Sequence, residues 1–317
     1  MSKNSELEEL LRKELNTSIL RSAGRSGRGC ISDGCTYETD SGRVFVKINR
    51  KPEAQLMFDG EYASLQALSA MQEVKVPEPI KVVKLKDGGA IFVMENLEIT
   101  GRLSGQSGVL GQQLARLHLK NEEIAQVELK QEKYVHKGQQ IKAVHNFGFH
   151  TTTCCGYIPQ DNTWTYTWQE FFSRKIEQQI SMLESEYGDR EARDLWSQLL
   201  PRLSQLFDGL GEIKPALLHG DLWSGNVAED KNGPVIFDPA SFYGHAEYDL
   251  SISSLFGGFG QQFFKSYFSV IPKAPGYHER LELYKVFHYL NHWNHFGEAY
   301  KESSLGALRA VVKSVSM

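Results

Sequence analysis

Cysteine is scarce in this chain: four among 317 residues, at Cys30, Cys35 and the adjacent Cys154 and Cys155. Neighbouring cysteines bridge each other only with strain, and a chain this long needs no staples, which excludes a disulfide framework. A four-cysteine zinc site is poorly supplied as well, because the second pair lacks the usual gap of about two to four residues. No run of Lys and Arg occurs and the net charge is −4, so nucleic acid and anionic membrane surfaces are not expected partners. Nor does any stretch approach the roughly 18 consecutive apolar residues of a membrane span. The start, Met1-Ser2-Lys3-Asn4-Ser5-Glu6, has no apolar signal-peptide core. These absences lead to the expectation of a cytoplasmic protein.

What is present is an ordinary globular composition, 41% hydrophobic and 23% charged, with length for about two lobes. The organising stretch is Leu217-Leu218-His219-Gly220-Asp221-Leu222-Trp223-Ser224-Gly225-Asn226, followed by Val235-Ile236-Phe237-Asp238. Two apolar residues end a buried element, His219-Gly220 turns, and Asp221 and Asn226 share one loop as in a kinase catalytic loop. Asp, Asn and Gly are also ordinary turn formers, but the ordered set, closed by an apolar strand ending in Asp, points to phosphoryl transfer. Pairing Val227-Ala228-Glu229 with Val235-Ile236-Phe237 across Asp230 to Pro234 sets Asn226 directly opposite Asp238. An amide and a carboxylate meeting there are oxygen donors of the kind Mg²⁺ takes.

Upstream, Leu7, Leu10, Leu11 and Leu15 form the stripe of a short amphipathic helix. A glycine-dense segment, Ser22 to Gly34, then precedes two strand-like runs, Cys35 to Thr39 and Arg43 to Ile48, joined at Asp40-Ser41-Gly42. That turn sets Lys47 beside Cys35, at the base of the glycine segment. Gly27, Gly29, Cys30, Ile31 and Ser32 would then form a loop over ATP phosphates and Lys47 would reach the α- and β-phosphates, as in a kinase nucleotide cradle; the alternative is a flexible glycine turn with Lys47 a solvent-facing strand lysine. Met57 to Met71 is expected as a helix with Glu61 on its apolar stripe. A carboxylate pointed inward is costly unless paired, and Lys47 is its natural partner; the alternative has Glu61 bordering the stripe and reaching water.

Val74 to Leu85 carries Pro77 and Pro79 and reads as an edge or irregular strand. Ala90 to Met94 is a buried strand whose exit, Glu95-Asn96-Leu97, is the expected hinge for adenine. Thr100 to Gly108 marks the lobe boundary, giving an N-lobe over 1–97 and a C-lobe over 98–317. His118 is expected to end a C-lobe helix in a structural role, and Lys120 to Gln140 to be exposed and polar. Phe171 and Phe172 read as core, with Trp164 open. Ile176 to Leu206 reads as helical, with Pro201 at a kink or in a first turn. Asp249, opening a later helix, is placed to cap or brace the catalytic loop. Leu281 to Phe296 is helical, with His288, His292 and His295 at one face: a metal face is one reading, a polar cleft wall or core histidines the favoured one.

Together these motifs resemble the fructosamine-3-kinase / ketosamine-3-kinase family, in the aminoglycoside-phosphotransferase-like branch of the kinase fold. The resemblance spans nearly the whole chain. It rests on Gly29 to Ser32, Val44 to Lys47, Phe92 to Glu95, Thr153 to Gly156, His219 to Asn226, Phe237 to His245 and Leu290 to Gly297. Gly220 stands where protein kinases carry Arg, and Asp238-Pro239 replaces Asp-Phe-Gly; both favour a small-molecule-type kinase. The implied fold is α+β and bilobal, with a small antiparallel-sheet N-lobe and a larger, mainly helical C-lobe.

The implied activity is ATP- and Mg²⁺-dependent phosphorylation of the 3-hydroxyl of ketosamines, free or on glycated proteins, leading to deglycation. Asp221 would be the catalytic base, Asn226 and Asp238 the metal ligands, and Lys47 held by Glu61 the phosphate anchor. Trp223 would stack on the sugar, with His219 and Trp293 as further substrate residues. Cys30, a thiol in a phosphate-binding loop, would be redox-sensitive and would link a homodimer, the alternative being a monomer. The rival readings are a kinase for another small alcohol, such as an aminoglycoside or choline, and a redox-sensing nucleotide-binding pseudokinase.

Overall fold

The computed structural model describes residues 3–24, 32–131 and 141–315, so Gly27, Gly29, Cys30 and Ile31 lie outside the described residues. The chain begins with helix α1 (Lys3–Glu14), whose Leu7 and Leu11 are buried. Five strands follow: β1 (Leu20–Gly24), β2 (Asp33–Thr39), β3 (Gly42–Asn49), β4 (Pro79–Lys84) and β5 (Ala90–Glu95), with helix α2 (Ala54–Met71) between β3 and β4. They make one antiparallel sheet in the order β1-β2-β3-β5-β4. The proline-bearing strand β4 is at the edge, where a missing N–H costs the ladder least. One sheet face packs on α1 through Val44, Val46, Ile91 and Val93, and the other joins Phe92, Met94 and the α2 residues Phe58 and Leu65 to the main core.

The second lobe opens with β6 (Ile99–Gly101) inside the stretch read as a boundary loop; it pairs with the catalytic hairpin. Helix α3 (Ser107–Gln131) does not stop at His118 but runs 13 residues further, correcting the expected helix end, while most of the continuation is exposed or half-buried as expected. The continuation is rich in helix formers, and its buried Asn121 donates to the carbonyls of Val144 and Pro215 at 2.7 Å each. The rest comprises β7 (Cys154–Cys155), β8 (Ile158–Pro159), α4 (Trp168–Tyr187), α5 (Glu191–Leu199), β9 (Ala216–Leu217), β10 (Val227–Asp230), β11 (Gly233–Ile236), β12 (Tyr243–Gly244), α6 (Glu247–Leu255), α7 (Gly260–Val270), α8 (Tyr277–Phe296) and α9 (Lys301–Ser314). Pro201 sits in the first turn of a 3₁₀ helix, Leu200–Phe207, where its missing N–H is harmless. The architecture is bilobal and α+β, a small antiparallel-sheet lobe on a mainly helical one.

Both functional hairpins are one residue tighter than the sequence suggested. Thr39 pairs with Gly42 and Lys47 therefore with Gly34, not Cys35; Asp230 pairs with Gly233, so Asn226 is not opposite Asp238. A short side chain before each loop causes this. Thr39 Oγ1 accepts the Ser41 N–H at 3.2 Å, and Asp230 Oδ1 accepts those of Asn232 and Gly233 at 2.7 and 3.0 Å. Each closes a two-residue turn where a longer loop was expected.

Candidate active site

Lys47 comes from the middle of β3 and its ammonium lies between two carboxylates, 2.6 Å from Glu61 Oε1 and 2.7 Å from Asp238 Oδ1. Glu61 is buried on α2, which answers whether it reaches water. Burial pushes the Glu61 carboxyl up, against the pull of Lys47; the two carboxylates hold Lys47 firmly protonated although burial opposes its charge. The helix reaches this place because Gly60 lacks a side chain: a Cβ there would stand 2.4 Å from the Thr152 carbonyl oxygen.

The catalytic loop is fixed through its backbone. Asp249, fully buried on α6, accepts the His219 N–H at 2.7 Å and the Gly220 N–H at 2.8 Å. Its carboxylate also faces His118 Nε2 at 3.2 Å, and Tyr267 Oη lies 2.8 Å from His118 Nδ1. The expected brace is thus anchored to α3 and α7, and His118 serves structure as read. Gly220 has φ +84° and a Cβ there would meet the Ala240 carbonyl oxygen at 2.2 Å, so the arginine of protein kinases has no room.

Asp221 is partly buried, and burial first, then the neighbouring Asp238, pushes its carboxyl up to about 7, against a hydrogen bond from Asn226. Asn226 spends its amide nitrogen on the Asp221 carbonyl at 2.9 Å and carboxylate at 3.2 Å. Its amide oxygen is left for another partner. Asp238 adopts φ +56°, the left-handed conformation that Asp tolerates better than most residues. This kink, rather than the hairpin register, brings Asp238 towards Lys47 and Asn226, whose amide is 3.5 Å from the Asp238 carbonyl. Carboxylate and amide oxygens from two chain segments are a donor set that fits Mg²⁺.

Other expected residues are placed differently. His219 is fully buried: its Nε2 donates to the Phe237 carbonyl at 3.0 Å and its Nδ1 accepts the Asp221 N–H at 3.2 Å, so it positions the loop and is not free to touch a sugar. Trp293 is also fully buried, stacked on Tyr187 at 6.1 Å, and is core instead of a substrate residue. Trp223, by contrast, is 40% exposed and lies over Gly225. Glu95 gives its N–H to the Glu78 carbonyl at 2.8 Å and pairs its carboxylate with Lys75 at 2.8 Å, at the start of the expected hinge Glu95-Asn96-Leu97. Ser32 is half-buried at the foot of β2.

The histidine face of α8 divides. His288 is buried, with no hydrogen-bond partner for either ring nitrogen among the described residues. His292 and His295 lie with Nδ1 at 2.6 and 2.7 Å from the carbonyls four residues back, and His295 Nε2 accepts the Tyr157 N–H at 3.1 Å. Burial lowers the pKa of all three. No group of metal-binding side chains is assembled among the described residues. Instead α8 meets the Thr153-Cys154-Cys155-Gly156 block, with Asn291 Nδ2 3.3 Å from Cys155 Sγ. Sequence reasoning missed this union and the Gln160 side chain, which ties Thr153 Oγ1 at 3.0 Å to the Ala240 carbonyl at 3.3 Å.

A family model for fructosamine kinase matches residues 3–314. The chain is 53% identical to a Mus musculus ketosamine-3-kinase over 311 residues, 97% of this chain and 100% of that protein. It is 38% identical to a chloroplastic protein-ribulosamine 3-kinase of Oryza sativa subsp. indica, covering 89% of this chain and 76% of the relative. In three dimensions it is similar to a Haemophilus somnus protein provisionally named a fructosamine-3-kinase, with TM-score 0.77, 21% identity and 96% of each chain covered. The aminoglycoside phosphotransferase APH(4)-Ia has TM-score 0.62 at 16% identity, with 98% of this chain and 99% of that one covered, which places the fold in that branch.

Proposed function

The chain belongs to the fructosamine kinase family, and on that premise we propose that it is an ATP-dependent ketosamine kinase acting on the sugar 3-hydroxyl. The observation that carries this reading is Asp221. It is a carboxyl that burial and the neighbouring Asp238 push up to about 7, held by a backbone-anchored loop, and Asp238 is in turn bound to Lys47. A base poised near the working pH, with a fixed cation for phosphate held beyond the neighbouring Asp238, is what phosphoryl transfer to an alcohol requires.

Asp221 takes the proton of the 3-hydroxyl as that oxygen bonds to the γ-phosphorus of ATP and the bond to the ADP oxygen breaks. Lys47, kept in place by Glu61, receives the phosphates. Asn226 and Asp238 would hold Mg²⁺, which would neutralise charge on the transferring phosphoryl group. Once the adjacent carbonyl of the product enolises, the C3–O bond breaks and phosphate leaves, and water hydrolyses the resulting imine to free the amine, the route to deglycation.

Trp223 is the proposed platform for the sugar, supported by its exposure two residues from the base. Trp223→Ala should raise the KM for the ketosamine and leave that for ATP alone; an unchanged ketosamine KM sinks this role. Glycated proteins as well as free ketosamines belong to the proposal, as do a redox-sensitive Cys30 able to link two chains and a cytoplasmic location. Among the described residues no helix is long and apolar enough to cross a membrane. Non-reducing gels of Cys30→Ala after peroxide test the link, since a dimer persisting undiminished removes Cys30 from it. The central test is ATP consumption with fructosamine, ribulosamine and psicosamine on the wild type and Asp221→Asn. Turnover of none, or turnover that survives the substitution, refutes the assignment.

A further inference from the structure

The Thr153-Cys154-Cys155-Gly156 block supplies no group of the proposed chemistry, yet both lobes hold it. It forms the hairpin of β7 and β8, with Cys154 opposite Pro159 and Cys155 opposite Ile158. On the sheet-lobe side, Thr152 and Thr153 pack against the bare backbone of Gly60 on α2. The Lys51 ammonium, just before that helix, lies 5.5 Å from the Tyr157 ring centre. On the helical-lobe side, Tyr157 donates its N–H to His295 Nε2 at 3.1 Å and its hydroxyl to the Asn294 carbonyl at 3.2 Å.

Thr153 is fully buried at the centre of this junction. A hydroxyl has one proton to donate and two lone pairs to accept with, and here all are used. Thr153 Oγ1 donates to the Ser241 carbonyl at 3.2 Å and accepts from the side-chain amides of Gln160 at 3.0 Å and Asn162 at 2.8 Å. The Gln160 amide is itself oriented. Its oxygen accepts from Nζ of the buried Lys175, which turns its nitrogen to Thr153 and to the Ala240 carbonyl 3.3 Å away. Ser64, on α2 three residues beyond Glu61, spends its proton on the Gly60 carbonyl at 2.8 Å and accepts the Ser241 N–H at 3.1 Å. The Ala240 N–H goes to the His219 carbonyl at 2.9 Å. All four backbone polar groups of Ala240 and Ser241 are therefore bound, by the catalytic loop, the hairpin and α2.

Asp238, two residues before Ala240, has φ +56°. A residue other than glycine keeps such a conformation only where its surroundings over-determine it. We propose that Thr153, Gln160 and Ser64 are positioning residues for the phosphate anchor: through Ala240 and Ser241 they lock the Asp238 kink to helix α2, so that Lys47 meets Glu61 and Asp238 together. The proposal rests on the ATP-binding half of the kinase reading. In protein kinases, activation-loop phosphorylation controls whether the helix glutamate meets the strand lysine. Here the helix is tied directly to the segment that bears Asp238, and the tie is built into the fold.

Three variants test this. Thr153→Val keeps the shape and removes all three bonds of the hydroxyl, Thr153→Ser keeps them, and Ser64→Ala cuts only the tie between α2 and Ser241. Each is measured by equilibrium binding of ATP with Mg²⁺ and by steady-state kinetics on fructosamine. The ATP Kd should rise about tenfold in Thr153→Val and about threefold in Ser64→Ala, with the ATP KM following. The fructosamine KM should stay near wild type, and Thr153→Ser should bind ATP like wild type. Alanine favours a helix, so Ser64→Ala decides the matter if the valine variant does not fold. A lower melting temperature with unchanged ATP affinity would reduce the network to a support of the fold. Equal shifts in the ATP and fructosamine constants would mean a general loosening of the cleft; either result overturns the proposal. Wild-type protein that binds ATP but phosphorylates no ketosamine would overturn the substrate assignment alone, the binding measurements still deciding the role of Thr153. Wild-type protein that binds no ATP would overturn both.

Discussion

The two halves of the cleft hold their carboxyl groups by opposite means. On the sheet lobe, one buried lysine is gripped by Glu61 and, from across the cleft, by Asp238 of the helical lobe, and charge sets the geometry. On the helical lobe, Asp221 has carboxylates for neighbours, and its loop is fixed by uncharged backbone N–H groups bonded to Asp249. In the proposed roles, a phosphate anchor must stay cationic, and Lys47 is surrounded by anions. A general base must give up and regain a proton near neutrality, so it is kept from cations and steadied at one remove.

The largest test of that contrast is Asp221→Asn, which removes the base and leaves the brace: kcat should fall by about 10² to 10⁴ while the ATP KM stays near wild type. In the wild type, kcat/KM should rise with pH as Asp221 ionises, with an inflection at or below about 7, since a bound cation favours the carboxylate. The variant should lose that limb. Next comes Asp249→Ala, which strands two buried N–H groups and His118; about 3 to 5 kcal/mol of unfolding free energy should be lost in a denaturant titration. A loss no larger than that of an exposed substitution would break the account of the brace.

Smaller again is Glu61→Gln, which keeps a hydrogen-bonding group near Lys47 and leaves it Asp238. The ATP KM should rise about tenfold, with little change in the ketosamine KM. The smallest effect is on stability. The Asp221 carboxyl binds its proton more tightly folded than unfolded, so wild-type stability falls as pH rises from near 4 to about 7 and is level beyond. Asp221→Asn escapes this fall and should melt higher than wild type at pH 8, by about 1 kcal/mol or roughly 2 to 4 °C, the gap closing near pH 4. A variant less stable than wild type at pH 8 would mean that Asp221 supports the fold.

Much of the fold was legible because its signals are local. The apolar stripe of α1, the proline-bearing edge strand and the order His-Gly-Asp, Asn, Asp each lie within a few residues of sequence. Register was not legible to the last residue. Whether Thr39 or Asp230 closes a two-residue turn depends on a side-chain to backbone bond worth about 1 kcal/mol, close to the difference between competing loops. Helix α3 overran its expected end because polar residues with high helix propensity resemble an exposed segment when no apolar stripe is visible.

By itself the sequence determined which residues are the candidates for the chemistry, since Lys47, Asp221, Asn226 and Asp238 are picked out by residue type and order. Tertiary structure decided which of the remaining candidates face solvent. Trp223 and Trp293 are the same side chain, yet one is 40% exposed and the other 0%. Helix α8 is covered around much of its circumference, by Tyr187 against Trp293 and Cys155 against Asn291, while Phe296 at its end stands free. Burial is a property of what packs against a residue, and those neighbours come from segments far away along the chain.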